Sequence, residues 1–240
     1  MKKNFCCIPC TPVRFEKTDC SEMVSQVLFG ESFEIIEKAN NWVKISMEDG
    51  YIGWIDNRVI EQREVEQDQI CFANKLWTEV SKEGNKIIVP YGSELQADKD
   101  EFSIHDFCFN KKNSIEKIIS DAEIFLNTPY LWGGRSSFGI DCSGLIQIVA
   151  KTNGYKLPRD ASDQAKIGLP VSYENRRLGD VVFFKNDLSK IIHVGVLTQK
   201  NEIIHSSAWV RKDKFDEKGI FDGFQSKYSH VFSHIMRIFE

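Results

Sequence analysis

One cysteine stands between a glycine-rich loop and a predicted helix. Gly133, Gly134 and Gly139 make the loop, and Asp141 directly before Cys142 is a residue type that favours a helix N-cap. The apolar residues that follow have the composition of a buried helix. Because unpaired backbone N–H groups and the helix dipole stabilise negative charge, this position favours a thiolate. The spacing therefore predicts that Cys142 is a nucleophile.

Two histidines on predicted strands could supply the base that such a thiol needs. His193 precedes the run Val-Gly-Val-Leu, and His205 follows the run Glu-Ile-Ile. A turn at 198–202 would join the two strands as a hairpin and bring both imidazoles to one face. The first could then accept the thiol proton, and the second could hold the first in the correct tautomer. A zinc site made from Cys142 and the histidines is an alternative that lacks an evident fourth ligand.

The other histidines and cysteines give weaker patterns. His105, His230 and His234 have no partners that the sequence identifies and are predicted to be structural. Cys7 and Cys10 form a C-x-x-C pair, but neither a thioredoxin-like context nor a second ligand pair accompanies it. A redox or metal role for that pair is therefore a minor alternative.

The elements before residue 62 predict a small all-β domain. Alternating apolar and polar residues with aromatic and β-branched side chains predict strands at 24–31, 32–37, 42–45 and 51–55. Asp49-Gly50 is a favoured hairpin turn. Short strands at this spacing indicate a barrel over residues 1–62.

The next segments predict a boundary near residue 111. Strands are predicted at 87–93 and 101–104, so that 63–110 is either a second, degenerate barrel or a packed linker. Apolar residues at helical spacing predict a helix over 114–126 with Ser114 as its N-cap. The catalytic residues then all belong to a third segment, 111–240.

The motifs in this third segment resemble the NlpC-type cysteine peptidases of bacterial cell-wall metabolism. The resemblance rests on Y-x-W-G-G…D-C-S-G, then G-D-x-x-F-F…H-V-G-V, then H-S-S, over about 115–240. It implies Cys142 as nucleophile, His193 as base and His205 as third member. Tyr130 would form an oxyanion hole with the backbone N–H of Cys142. Asp180 in the second motif is predicted to be a structural turn or salt-bridge residue.

The fold that the resemblance implies is α+β. A papain-like catalytic domain, with the cysteine helix packed on a small antiparallel sheet, would follow one or two small all-β SH3-like barrels. The N-terminal pattern G-E-x-F…W-V-K-I…D-G-Y-I-G-W-I, over about 15–62, resembles bacterial SH3-like modules.

SH3-like modules ahead of such a peptidase resemble the γ-D-glutamyl-L-diamino acid endopeptidase subgroup, which binds a free N-terminal L-alanine. The substrate-binding candidates that this resemblance implies are Asp160, Trp132, Tyr51, Glu22 and Ser162. Ala161 stands where the family often has serine, and Ser162 follows it. A buried ammonium requires the carboxylate and phenol that Glu22 and Tyr51 would supply.

Composition and charge exclude several classes of partner. The 240 residues are 42% hydrophobic and 28% charged, with a net charge of −4, so no basic face for nucleic acid is expected. No apolar run approaches the length of a membrane span, and no apolar core follows the first lysines as in a secretory signal. Seven cysteines, an odd number, predict free thiols in a reducing compartment. We therefore expect a cytoplasmic protein without a membrane partner, metal or other cofactor.

The resemblance, with these features, implies an endopeptidase that cleaves the γ-D-Glu–diamino acid bond of murein peptides with a free N-terminal L-Ala, in cell-wall peptide recycling. An exported hydrolase that acts on intact wall, with the SH3-like modules as wall-binding domains, is the main alternative. Acyl transfer to an acceptor other than water is another. A binding module with an inactive site is disfavoured because Cys142, His193 and His205 are all present.

Overall fold

The chain folds into two compact units. The computed structural model describes residues 2–64, 70–82, 84–96, 107–109 and 111–240. One unit comprises Met1–Lys111 and Leu131–Gly139, and the other comprises Lys112–Tyr130 and Ile140–Glu240. None of the helices in the described ranges is long and apolar enough to cross a membrane.

The N-terminal unit begins with a seven-stranded antiparallel sheet. Its strands are β1 (Lys2–Cys6), β2 (Cys10–Arg14), β3 (Met23–Leu28), β4 (Ser32–Ala39), β5 (Trp42–Met47), β6 (Ile52–Asp56) and β7 (Ile60–Glu64). They lie in the order β3-β2-β6-β5-β4-β1-β7. Alternate residues of β5, Val43, Ile45 and Met47, point into its core, as the period of two requires.

The four strands predicted in this region are confirmed as β3 to β6. The Asp49-Gly50 turn is confirmed as well, because the N–H of Met47 donates to the carbonyl of Tyr51 across it. β1 and β2 were not predicted, since prolines and charged residues interrupt the apolar pattern of residues 2–14. In the structure, Cys6 and Val13 from these strands are fully buried in the same core.

The rest of the N-terminal unit contains two smaller sheets. The strands are β8 (Ile70–Ala73), β9 (Trp77–Lys82), β10 (Asn85–Pro90), β11 (Glu94–Gln96) and β12 (Phe107–Phe109), paired as β11-β8-β12 and β10-β9. Phe29 packs with buried residues of this segment, Val80, Val89 and Leu95 among them. β10 confirms most of the strand predicted at 87–93. The strand predicted at 101–104 and His105 lie outside the described residues, and the choice between barrel and linker for 63–110 stays a prediction.

The C-terminal unit carries the helices and a second large sheet. The helices are α1 (Ile115–Ile124), α2 (Cys142–Thr152) and α3 (Ala161–Gln164). The strands of its sheet are β15 (Leu169–Val171), β16 (Val181–Lys185), β17 (Ile191–Gln199), β18 (Glu202–Ser207), β19 (Trp209–Asp216), β20 (Gly219–Asp222) and β21 (Lys227–Arg237). Two short strands precede α2: β13 (Arg135–Ser136), which belongs to the N-terminal unit, and β14 (Gly139–Ile140), which begins with the last residue of that unit. The predicted Ser114 cap is confirmed, since its hydroxyl accepts from the N–H of Lys117.

The large sheet closes on itself. Its order is β15-β21-β16-β17-β18-β19-β20, and β20 also pairs with β21. The predicted small antiparallel sheet is thus a closed one with an apolar core that includes Leu197, Ile203, Phe215 and Ile220. Asp180, predicted to be structural, is buried before β16 and accepts two hydrogen bonds from Arg237, at 2.8 and 2.9 Å.

A polar group shares the inner face of this closed sheet with the apolar core. Side chains two residues apart on a strand point to the same face. His193, His205 and Asp213 therefore point to the same side as Leu197, Ile203 and Phe215 of their respective strands, and Asp222 to the same side as Ile220. All four polar residues are buried.

Candidate active site

Cys142 is the first residue of α2 and is buried. Asp141 caps the helix, because its Oδ1 accepts a hydrogen bond of 2.7 Å from the N–H of Gly144. The predicted position of the cysteine at a helix N-terminus is confirmed. In this position the backbone N–H groups of the first turn are available to a negative charge.

A buried arginine holds the Asp141 carboxylate. Arg159 donates from Nη1 to Asp141 Oδ1 at 3.0 Å and to the hydroxyl of Ser143 at 2.9 Å, and its Nη2 donates to the other Asp141 oxygen. Arg159 and Asp141 are 3% and 6% exposed, so the pair is withdrawn from water. It fixes the first turn of α2 on both sides of Cys142.

The environment of Cys142 favours the neutral thiol in the resting protein. Burial raises the pKa of Cys142 to about 12, and the Asp141 carboxylate acts in the same direction. Hydrogen bonds from the N–H groups of Val194 and Ser143 and the charge of Arg159 oppose this shift of the pKa. The expectation of a resting thiolate was therefore wrong, because burial outweighs the helix N-terminus.

His193 and His205 lie side by side on adjacent strands. β17 and β18 form the predicted hairpin, with Gly195 opposite His205. Nε2 of His193 is 2.8 Å from Nδ1 of His205, and both rings are buried. Burial lowers the pKa of His193 well below its ordinary value, and it lowers that of His205 against the pull of Asp213. Both rings are thus neutral at pH 7, as a general base must be.

The hydrogen-bonded chain continues beyond the two predicted histidines. Asp213 Oδ2 lies 3.0 Å from Nε2 of His205, and the carboxylate forms an ion pair with Arg211, whose Nε is 2.9 Å away but makes no hydrogen bond to it. Arg211 Nη2 donates to Asp222 at 2.8 Å. Sequence reasoning missed these three residues. The signal was present, because Arg211 and Asp213 alternate in β19 with Phe215, and charged residues on the apolar face of a strand require partners.

His230 stacks on His193. The ring centroids are 3.9 Å apart and the planes are 22° from parallel. Sequence analysis found no partner for His230, whereas the structure places it against the predicted base. Its neutral form is favoured too, because burial lowers the pKa of His230 to about 4.

These three histidines are also the group in the described ranges whose ligand atoms lie within 4.8 Å of one another. A metal ion binds imidazole nitrogen along the lone pair in the plane of the ring. Two nearly parallel stacked rings cannot both direct this lone pair at one ion without turning. The arrangement is therefore that of a packed aromatic group, and it fits a resident metal poorly.

Tyr130 is half-buried and follows the bridge between Pro129 and Trp209. Its N–H donates to the carbonyl of Ala208 at 2.9 Å, and it forms a parallel bridge with Ile140, two residues before Cys142. Burial raises the pKa of Tyr130 above its usual range, and Cys142 and Asp141 add to this effect. The phenol therefore keeps its proton and can act as a donor near the thiol.

The predicted substrate-binding residues fall into two groups. Asp160 and Ser162 lie at the start of α3 in the C-terminal unit and are exposed. Glu22 and Trp132 meet in the N-terminal unit, where Nε1 of the exposed indole donates to Oε1 of Glu22 at 2.7 Å. Tyr51 packs partly buried against the first core of that unit. The structure thus brings Glu22 and Trp132 together, whereas the contact described for Tyr51 is with the apolar core of the first sheet.

A buried ion pair holds the loop that contains Trp132. Arg135 Nη1 and Nη2 each donate to the Glu31 carboxylate at 3.0 Å, and Nη1 also donates to the carbonyl of Gln26 at 2.6 Å. Gly133 has a φ of +75°, and a Cβ there would lie 2.4 Å from the carbonyl oxygen of Met23. The loop 131–139 is therefore packed closely within the N-terminal unit.

Comparisons with known proteins agree with this architecture. Residues 127–229 match the NlpC/P60 family, and residues 14–60 match the bacterial dipeptidyl-peptidase Sh3 domain. The chain is 31% identical over 222 residues to a gamma-D-glutamyl-L-lysine dipeptidyl-peptidase of Bacillus subtilis, with 78% of this chain and 74% of that protein covered. A protein of the same description from Bacillus cereus is 25% identical, with 79% and 68% covered.

Solved structures show the same fold over the whole chain. An NlpC/P60 family protein from Bacillus cereus superposes with a TM-score of 0.84 at 18% identity, with 100% of both chains covered. An NlpC/P60 endopeptidase from Photobacterium damselae gives a TM-score of 0.74 at 16% identity, with 97% of this chain and 70% of that chain covered. The predicted α+β fold with an N-terminal SH3-like domain is thus confirmed. The chain belongs to the NlpC/P60 family and is a cysteine peptidase.

Proposed function

We propose that the protein hydrolyses the bond between γ-D-glutamate and a diamino acid in murein peptides that carry a free N-terminal L-alanine. The observation that carries the proposal is the hydrogen-bonded pair of neutral histidines, His193 and His205, together with the thiol of Cys142 at the start of α2. That thiol interacts with the backbone N–H of Val194, the residue directly after His193. The relatives from Bacillus subtilis and Bacillus cereus, named for a gamma-D-glutamyl-L-lysine dipeptidyl-peptidase activity, support the substrate class.

Because the Cys142 thiol and the His193 ring are both neutral in the resting protein, the order of the proton transfers is fixed. In this mechanism His193 takes the proton of Cys142 as the sulfur attacks the carbonyl carbon of the γ-glutamyl amide. The N–H groups of Val194 and Ser143 then stabilise the sulfur as its negative charge develops. His193 returns the proton to the leaving amine of the diamino acid, and water hydrolyses the thioester after the same base activates it.

The tetrahedral intermediate needs donors for its oxyanion. The protonated phenol of Tyr130 and the backbone N–H of Cys142 are the candidates, since Tyr130 keeps its proton and lies near the thiol. Donors of this kind stabilise the transition state by about 3–4 kcal/mol each. Tyr130→Phe is therefore expected to lower kcat by roughly 10²-fold or more.

Recognition of the free amine is the finer part of the proposal. Glu22, Tyr51 and Asp160 offer carboxylates and a phenol, which an ammonium group requires when it leaves water. Trp132 orders the Glu22 carboxylate through its indole N–H. Recognition of the ammonium by any of these groups would exclude intact wall, in which the alanine nitrogen is an amide without charge.

We further propose that this activity serves recycling of murein peptides in the cytoplasm. The supporting observation is that the cysteines with described side chains, Cys6, Cys7, Cys10, Cys20, Cys71 and Cys142, are all free thiols. Thiols persist in a reducing compartment.

The decisive experiment compares L-Ala-γ-D-Glu-diaminopimelate with its N-acetylated form by mass spectrometry, using wild type and Cys142→Ala. We expect cleavage of the free-amine peptide alone and none by the variant. Cleavage of both peptides at equal rates would refute amine recognition and favour wall lysis, which digestion of intact sacculi would then test. Activity in Cys142→Ala would refute the nucleophile.

Matched variants separate the binding residues from the catalytic ones. Glu22→Gln and Asp160→Asn each remove one negative charge without a change in shape. If either carboxylate binds the ammonium, its variant should raise KM for the free-amine peptide by about tenfold, the effect of a charge-assisted hydrogen bond. The exposed Glu48→Gln of the same barrel serves as the control for loss of charge alone. An unchanged KM in both variants would refute this set of residues.

A further inference from the structure

Asp213 lies at the far end of the histidine pair and accepts its last hydrogen bond. Its Oδ2 is 3.0 Å from Nε2 of His205, and both side chains are withdrawn from water. An ionised carboxylate can only accept hydrogen bonds. The hydrogen of this contact must therefore belong to Nε2 of His205.

One assignment of the ring protons follows from that contact. A neutral imidazole carries a single ring proton, so that Nδ1 of His205 has a lone pair and accepts. The atom 2.8 Å away, Nε2 of His193, must then be the donor. This leaves the lone pair of His193 on Nδ1, where it is available to take a proton from the thiol.

Arg211 links Asp213 to a second buried carboxylate, that of Asp222. The Arg211 guanidinium lies between the two carboxylates, with Nε 2.9 Å from Asp213 and Nη2 2.8 Å from Asp222. The buried Asp213 carboxylate therefore has a counter-charge beside it. Arg211 is itself held, because it lies over the Trp209 ring at 4.9 Å.

We propose that Asp213 is a positioning residue for the peptidase reaction, which sets the tautomers of His205 and His193 through this chain of hydrogen bonds. The inference rests on the proposed function for the identity of the base, but its structural content is independent of any substrate. The residue does not touch the reacting atoms. It acts by fixing which nitrogen of His193 carries the lone pair.

The tautomers can be measured directly in the wild-type protein. Two-bond ¹H–¹⁵N correlation spectra of ¹⁵N-histidine-labelled protein distinguish protonated from unprotonated ring nitrogens, and His193→Gln and His205→Gln assign the signals. We expect both residues to carry the proton on Nε2. A proton on Nδ1 of either ring would overturn the inference, even if the peptidase activity is as proposed.

Two substitutions separate the acceptor from the charge. Asp213→Asn keeps an acceptor oxygen at this position, whereas Asp213→Ala removes it. We expect Asp213→Ala to lower kcat by roughly 10²–10⁴-fold, the contribution of a general base, with KM changed by less than about threefold. Asp213→Asn should keep the wild-type tautomers and recover most of kcat.

The control is Asp216→Ala on the same strand, which removes an aspartate that accepts from Tyr228 outside this chain of hydrogen bonds. We expect wild-type kcat and tautomers from it. If Asp213→Ala does not fold, the wild-type and Asp213→Asn spectra still decide the matter. Equal kcat in Asp213→Ala and wild type would overturn the inference. Loss of activity in Asp213→Asn with unchanged tautomers would assign the effect to charge instead and also overturn it.

Discussion

Replacement of Arg159 by methionine tests how the protein holds the first turn of α2. The substitution leaves the Asp141 carboxylate buried with the N–H of Gly144 and the hydroxyl of Ser143 but without its counter-charge. Removal of one partner of a buried ion pair costs about 3–5 kcal/mol. Since domains are stable by roughly 5–15 kcal/mol, the loss should be a large fraction of the total.

The same substitution changes the thiol. Arg159 lowers the pKa of Cys142 and Asp141 raises it, so the two single changes have opposite effects on the thiolate fraction. Arg159→Met should slow alkylation of Cys142 by iodoacetamide at pH 8, and Asp141→Asn should accelerate it. The double variant removes both charges and should alkylate at nearly the wild-type rate.

Urea unfolding and mass-spectrometric quantification of the peptide that contains Cys142 give the two readouts. At an m-value of about 2 kcal/mol/M, a loss of 4 kcal/mol lowers the urea midpoint by roughly 2 M. The double variant should recover at least half of this loss, because a neutral pair of similar volume replaces the ion pair. The reasoning would be refuted if the destabilisation of the double variant equalled the sum of the destabilisations of the two single variants. Faster alkylation of Cys142 in Arg159→Met than in wild type would also refute it.

Three further outcomes follow from the buried groups. Because burial holds the pKa of His193 below 6.5, the acid limb of kcat/KM should have its midpoint below pH 6.5, and a midpoint above it would contradict a neutral resting base. Below about pH 6.5 the unfolded chain binds protons at His193 and His205, whereas the native protein does not, so the free energy of unfolding should fall as the pH is lowered from 6.5. Urea midpoints measured from pH 8 to pH 5 test this, and His205→Gln should make the free energy of unfolding depend less on pH. Glu31→Gln should destabilise the N-terminal unit by about 3–5 kcal/mol, because Arg135 loses its buried counter-charge. Replacement of the exposed Glu34 by Gln is the control, and a change below about 1 kcal/mol in Glu31→Gln would show that the ion pair contributes little to stability.

The positions of the catalytic candidates could be predicted because each depends on local sequence. A cap residue before an apolar helix fixes the place of Cys142, and a turn between two alternating strands brings His193 and His205 to one face. These signals extend over a few residues, and the structure confirms the placement that they gave.

The rest depends on pairings between distant parts of the chain. The stacking of His230 on His193 requires β21 to return beside β16, and the closure of the sheet requires β20 to pair with β21. No local pattern encodes such a register. The thiol pKa was also mispredicted for this reason, because burial of Cys142 is a property of the packed fold.

The path of the loop 131–139 limits how the two parts of this protein could be recombined during evolution. The chain leaves the C-terminal unit after Tyr130, contributes nine residues to the N-terminal unit and returns at Ile140. A protein made only of the residues after 111 would therefore contain Arg135 but lack its buried partners, the Glu31 carboxylate and the carbonyl of Gln26. Replacement of the N-terminal residues 1–111 by an unrelated domain would likewise leave Arg135 without its buried partners. Recombination at this boundary should thus be tolerated only when a new module brings its own acceptor for the arginine, or when the loop is exchanged together with it.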